Sequence, residues 1–258
     1  MIRKLMLLTL LLALAGCRQA DQSTADGPDL LAQTRQANLT RNTDHLADPS
    51  ASNRCCGLRW FATTIPADPA VHDRIVELLR HDPDVDVRRV AAVTLGSPGY
   101  EHARRDLQDA VRDDEDLHVR LNAARSLGRH RNPDDVWFWQ RLLDNDRCGE
   151  QMHRVAIEAL AVLNTGESGR VVCDVLRRRS RLDGPCLDAL ASMDCDSALA
   201  EFLRVMDRHG YSVSTTNAMR LREKHGDATM RKLVEVYRRC DASRANGLVI
   251  SGDAFVDW

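Results

Sequence analysis

D-P-D-V-D-V-R-R-V-A-A-V-T-L-G, residues 82–96, returns as D-E-D-L-H-V-R-L-N-A-A-R-S-L-G at residues 114–128. The copies agree at Asp82/Asp114, Asp84/Asp116, Val87/Val119, Arg88/Arg120, Ala91/Ala123, Ala92/Ala124, Leu95/Leu127 and Gly96/Gly128, always 32 residues apart. A fixed period of this length is the signature of stacked repeats. Apolar residues make up 43% of the chain but aromatics only 4%. Such a core is built from small and aliphatic side chains, which let helices approach closely.

The repeats extend in both directions. Upstream, Asp68-Pro69 opens a helix with Pro in its first turn, and Val71, Ile75, Leu78 and Leu79 share one face. The turn 82–86 follows. Asp84 is placed to cap the next helix and Asp86 sits in its first turn. Val87, Val90, Ala91, Thr94 and Leu95 form its buried stripe, ended by Gly96 and Pro98-Gly99. Further upstream, Pro28 to His45 and a second helix with Arg54, Gly57, Leu58, Phe61 and Ala62 make a degenerate copy at a spacing of 34.

Downstream, the third repeat spans 100–130, with Leu107, Ala110 and Val111 on its first helix. The fourth opens at Asn132-Pro133-Asp134-Asp135. Leu142, Leu143 and Asp146 match Leu78, Leu79 and Asp82 at twice the period. Its second helix, Met152 to Ala161, puts His153 in the slot of Arg88, which requires one inserted turn residue. The fifth has Val172, Val175 and Leu176 on its first helix, a turn at Asp183-Gly184-Pro185, and a short second helix from Cys186 to Met193. A sixth pair is expected at Ala198–His209 and Ser214–His225, then a closing helix from Asp227 to Cys240. The tail 241–258 reads as irregular or briefly extended. The expected fold is all-α: an α-solenoid of about six stacked helical hairpins over residues 28–240. One hairpin cannot bury both its apolar faces, so neighbours must supply the missing surface.

The unit D-x-D-x-x-V-R-x-x-A-A-x-x-L-G resembles the HEAT-repeat family, in the short form also seen in phycobilin-lyase-like repeats. The match is strongest over 68–130. The resemblance implies antiparallel helix pairs, with second helices lining an inner surface. It also implies a polar ladder along the turns from Asp84, Arg88, Asp116 and Arg120. His153 departs from that pattern.

The N-terminus carries a different signal. Arg3 and Lys4 precede an apolar run from Leu5 to Leu14, then Ala15, Gly16 and Cys17. Residues 1–16 read as a secretory signal, too short for a membrane span. The ending L-A-G-C resembles a bacterial lipobox. That resemblance implies cleavage before Cys17, then diacylglycerol on its sulfur and an acyl chain (palmitate or similar) on its amine. Several chains make such an anchor stable. Arg18, where an Asp is associated with inner-membrane retention, favours the outer membrane facing the periplasm in a two-membrane host. Residues 17–27 are small and polar and read as a flexible tether.

Loss of Arg3 and Lys4 takes the formal charge from −2 to −4. Lysine occurs only at 4, 224 and 232, so the chain is rich in Arg. Nucleic-acid binding is the functional reading of that bias and a GC-rich genome the compositional one. The negative charge and the extracytoplasmic address favour the second, and no nucleic-acid partner is expected.

Seven cysteines lie beyond Cys17: Cys55, Cys56, Cys148, Cys173, Cys186, Cys195 and Cys240. An odd number leaves at least one outside any intrachain disulfide. On one helix, Cys186 and Cys195 would stand roughly 13 Å apart, beyond the roughly 7 Å limit between bridged Cα atoms. The other pairings are not readable. A redox role for Cys55-Cys56 is a weak alternative. No spacing suits a metal, no catalytic or phosphate-loop motif appears, and no cofactor is implied.

Candidate contact residues come from the register. The slot of Val93 also holds Arg59, Arg125, Glu158 and Asp188; the slot of Arg89 also holds Arg154. Both lie off the buried stripe, so these residues either meet a partner or form a solvated charged face. In the cluster Trp137-Phe138-Trp139, Trp139 falls on the core face and Trp137 points outward. Exposed Trp is favoured at interface hot spots, while packing on a neighbouring repeat is the alternative. The functional expectation is a membrane-anchored, non-enzymatic scaffold that binds another protein. A small-ligand or lyase-like use of the inner groove, or a purely structural envelope role, are the alternatives.

Overall fold

A computed structural model describes residues 27–178 and 180–193, with residues 219, 221–223, 226, 227 and 231 in isolation. Residues 1–26, which hold the signal and most of the tether, lie outside the described residues, as do Cys195, Cys240 and the tail. Every described segment of regular structure is helical. In chain order the α-helices are α1 (Gly27–His45), α2 (Ala51–Phe61), α3 (Pro69–His81), α4 (Val85–Thr94), α5 (Arg104–Asp113) and α6 (Leu117–Arg129). They continue as α7 (Val136–Asp144), α8 (Glu150–Leu163), α9 (Gly166–Arg178) and α10 (Asp183–Ser192). These are five successive helix pairs among the described residues. The sixth pair and the closing helix fall mostly outside them; the described residues from 219 to 231 are helical.

The chain divides into two compact units, Met1–Ile75 and Val76–Trp258. In the first, α1 packs on α2. Gly57 makes this approach possible, because a Cβ there would stand 2.8 Å from the Asn42 carbonyl oxygen. Phe61, Leu58 and Leu46 are buried, whereas Leu30 and Leu31 on the first turns of α1 are exposed.

In the second unit, α5 packs on α6, α7 on α8 and α9 on α10. The second helices then contact one another in series, α4 to α6, α6 to α8 and α8 to α10. This is the stacking of an α-solenoid. The recurring small residues set its interfaces: Ala91, Ala92, Leu95, Ala123, Ala124, Ala156 and Leu160 are all fully buried. Ala92 is buried where the stripe was expected to take Val90, which is only partly covered. Close approach is tightest at Gly96, where a Cβ would meet Ser126 Oγ at 2.4 Å and Ser126 Cα at 2.8 Å. The equivalent Gly128 faces the Ala159 methyl at 3.2 Å.

The D-x-D turn divides its labour between two acids. Asp82 Oδ1 accepts the Asp84 N–H at 2.9 Å, and Asp114 Oδ1 accepts the Asp116 N–H at 2.8 Å. Asp84 and Asp116 then cap α4 and α6 in extended backbone. Asp84 accepts from the N–H groups of Asp86 and Val87, and Asp116 from those of His118 and Val119. These bonds satisfy donors that a helix start leaves without partners. Asn132 does the same for the 3₁₀ turn Pro133–Asp135 that leads into α7.

The inserted residue of the fourth pair is absorbed by a 3₁₀ turn, Asp146–Cys148, and by Gly149 at φ +80, a conformation that favours glycine. In the fifth pair the turn lies earlier than expected. Ser180–Leu182 forms it, and Asp183-Gly184-Pro185 is already the first turn of α10. Proline is tolerated there because the first N–H groups of a helix have no intrahelical acceptor.

Candidate partner-binding face

The second helices leave one position per turn uncovered. Val93, Arg125, Glu158 and Asp188 occupy it on α4, α6, α8 and α10, and all four are exposed between buried neighbours. Along the second unit this row runs from apolar through basic to acidic. Arg59 is exposed at the same register of α2, within the first unit. Between α6 and α8 lies an open groove of about 280 Å³. Arg125, Arg129, Arg131 and Glu158 border it; Gly128 and Ala159 form its floor. The groove exists because those small residues leave the ridge low. Arg129 and Arg131 on this rim were not among the residues singled out from the sequence. They follow the repeat unit, so the period carries no signal for them.

The other candidates fall elsewhere. Arg154 is exposed on α8 beside the row. Arg89 is engaged at the repeat junction: its guanidinium meets Asp116 at 3.0 Å and Asp86 at 2.9 Å. Trp137 is 47% exposed on α7, a first helix, and borders a cavity with Arg120 rather than with Arg125 or Glu158. Trp139 is buried, edge-on to Phe138.

The polar residues of the turns form two sets of contacts. Within a pair, one side chain clasps the carbonyls of the preceding turn. Arg54 Nη1 donates to the Asp48 and Pro49 oxygens, Arg88 Nη1 to the Asp82 oxygen, and Arg120 Nη1 to the Asp114 and Glu115 oxygens. In the fourth pair His153 fills this slot and donates from Nε2 to the Asn145 oxygen at 3.0 Å. Between pairs, Arg88 reaches forward to Asp114, with Nε to Oδ2 at 3.0 Å and Nη2 to Oδ1 at 3.3 Å, and to Glu115 at 3.1 Å. Both Arg88 and Asp114 are nearly covered. Asp84, by contrast, serves its own helix as a cap.

The electrostatics follow from these contacts. The hydrogen bond it donates to Asp114 raises the Arg88 guanidinium above its ordinary value, against the cost of burial. The bond from Arg89 is the largest influence on Asp116, holding that carboxyl at about 2. Asp135 goes the other way, raised chiefly by burial despite the Arg104 Nε–H at 2.6 Å and the Gln108 amide at 2.6 Å. Burial, with Asp183 and Cys173 nearby, pushes the Cys186 thiol well up. Such a thiol stays protonated and is a poor nucleophile.

Among the described residues no three His, Cys, Asp or Glu side chains gather where a metal could sit. No described helix is long and apolar enough to cross a membrane. No curated protein matches the sequence. Residues 73–161 match the family model of HEAT repeats, and that stretch consists of successive helices joined by short turns.

Proposed function

We propose that the protein is a binding scaffold whose second-helix face receives another protein. One observation carries the reading: an exposed position that recurs on successive second helices holds Val93, Arg125, Glu158 and Asp188 in series, with a shallow groove between α6 and α8. Repeat folds use extended surfaces of this kind for recognition. A row whose charge changes sign along its length fixes the direction in which a partner lies. The HEAT-repeat kind of segment and the lack of a catalytic motif both favour a scaffold over an enzyme.

The proposal extends to location. The L-A-G-C sequence ending at Cys17 supports a lipid anchor that holds the scaffold in a bacterial envelope, with the outer membrane facing the periplasm as the favoured site.

The test is crosslinking in intact cells, followed by affinity purification and mass spectrometry, with Arg125→Glu and Cys17→Ser variants alongside. One dominant partner, weakened about tenfold or more by Arg125→Glu, is the expected result. Partner capture that is indifferent to Arg125→Glu refutes the face. Membrane fractionation that is unchanged in Cys17→Ser refutes the anchor.

A further inference from the structure

A second concavity, of about 580 Å³, opens on the turn edge of the third and fourth repeats, apart from the second-helix row. Four guanidinium groups border it, from Arg112 on α5, Arg120 on α6, Arg141 on α7 and Arg147 in the turn before α8. No carboxylate lines it. This is a strong local excess of positive charge in a chain whose formal charge is −2.

The four cations differ in how far they are already neutralised. Arg112 pairs with Asp109 on its own helix, with both groups about half exposed. Arg120 gives Nη1 to the main-chain oxygens of Asp114 and Glu115, which carry no net charge. Arg141 and Arg147 are exposed, and their guanidinium groups have neither a hydrogen bond nor an ion pair among the described residues. Planar guanidinium groups of this kind recognise phosphate and carboxylate through paired N–H donors.

One wall is apolar. Trp137 stands about half exposed at the cavity, and Phe138 and Leu142 lie buried behind it. Cys148, partly covered, completes the wall. Burial pushes its thiol up, with the Arg120 cation opposing, so the group adds no negative charge to the cavity. The volume falls within the range of small-molecule sites.

We propose that this cavity binds a small oligoanion: a ligand with two or more phosphate or carboxylate groups held by Arg120, Arg141 and Arg147, and a flat ring resting on Trp137. Charge assistance makes each such contact stronger than a neutral hydrogen bond. The indole face adds ring stacking and explains why a Trp is left uncovered at the edge of a basic cavity.

The test is titration calorimetry of the full chain at low ionic strength with three probes: benzene-1,3,5-tricarboxylate, citrate and a hexaglutamate peptide. The first carries a ring and three carboxylates, the second carboxylates alone, and the third the same chemistry on a protein segment. The ring-bearing probe is expected to bind most tightly. Arg141→Gln/Arg147→Gln is expected to weaken it about tenfold or more. Trp137→Ala is expected to reduce it to the affinity of citrate while leaving citrate unchanged. A charge-matched control, Arg105→Gln/Arg170→Gln, alters exposed arginines outside the cavity and is expected to bind as the parent does.

Equal weakening by the cavity and control variants overturns the proposal, because binding would then follow net charge. So does the absence of heat with every probe. Tightest binding by hexaglutamate overturns the small-ligand assignment and turns the cavity into a contact for an acidic protein segment. Circular dichroism of each variant establishes that the fold is retained.

Discussion

Gly96→Ala tests the closest helix approach in the stack. The added methyl would sit 2.4 Å from Ser126 Oγ, 2.5 Å from its Cβ and 2.8 Å from its Cα. The hydroxyl can rotate away, but the Cβ and Cα are fixed by the backbone. Restoring ordinary contact with the Cβ requires α4 and α6 to separate by about 0.9 Å at that point. α6 is held by further packing against α5 and α8. Overpacking of this kind costs about 1–3 kcal/mol, while replacing glycine removes unfolded-chain entropy and returns about 0.4–1 kcal/mol. A net loss of about 1–2 kcal/mol is expected, measured by urea unfolding followed by far-ultraviolet circular dichroism. Gly128→Ala is the internal control. Its nearest neighbour is a methyl at 3.2 Å, so the two effects nearly cancel and the change should stay within about 0.5 kcal/mol. Adding Ser126→Gly to Gly96→Ala removes two of the three close contacts. The double-mutant cycle should therefore show favourable coupling of about 1 kcal/mol. Equal effects at Gly96 and Gly128, or a cycle with no coupling, would refute the reasoning.

The slot shared by Arg88 and Arg120 offers a second comparison. Arg88→Ala leaves Asp114 nearly covered and without its cation, at an expected cost of about 3 kcal/mol. Arg120→Ala removes bonds to main-chain oxygens only, at about 1 kcal/mol; denaturant unfolding of both variants checks the ratio. The Asp116 carboxyl predicts a pH dependence. Its folded pKa lies below the ordinary 3.8, so its contribution is complete above that value and is lost as pH falls towards about 2. Asp116 is about a quarter exposed, so solvent screening reduces the effect to about 1 kcal/mol. Asp116→Asn, which keeps a capping oxygen, should flatten the stability profile between those limits; an unchanged acid slope would show that the Arg89–Asp116 pair contributes nothing.

The period of 32, the capping acids and the buried Ala-Ala-Leu stripe were readable because each is local and repeats. The same logic placed Trp139 inside and Trp137 outside. It failed at residues 183–185, where Gly-Pro reads as a turn although both residues fit the first turn of a helix. Asp114 was visible in the sequence as the match of Asp82, but its part as the acceptor from Arg88 of the preceding repeat was not. A forward contact from Arg88 to Asp114 depends on how one pair sits on the next, and periodicity alone does not report that. The arginine cavity was hidden for a similar reason. Arg112, Arg120, Arg141 and Arg147 come from three helices and a turn, and Arg147 lies in the segment with the inserted residue. Their convergence exists only once the pairs are stacked.

The side chains of Arg54, Arg88, Arg120 and His153 all close on main-chain oxygens. Any amino acid supplies such an oxygen, so apart from the capping acid this clasp does not dictate which residues occupy a turn. The segment between α7 and α8 illustrates the freedom: it has gained a residue and holds an arginine and a cysteine, yet Ala156 and Leu160 remain fully buried. Architecture and surface chemistry are thereby inherited separately. A lineage carrying this scaffold can trial new side chains along the solvent-facing turn edge, one repeat at a time, while the buried stripe holds the stack beneath.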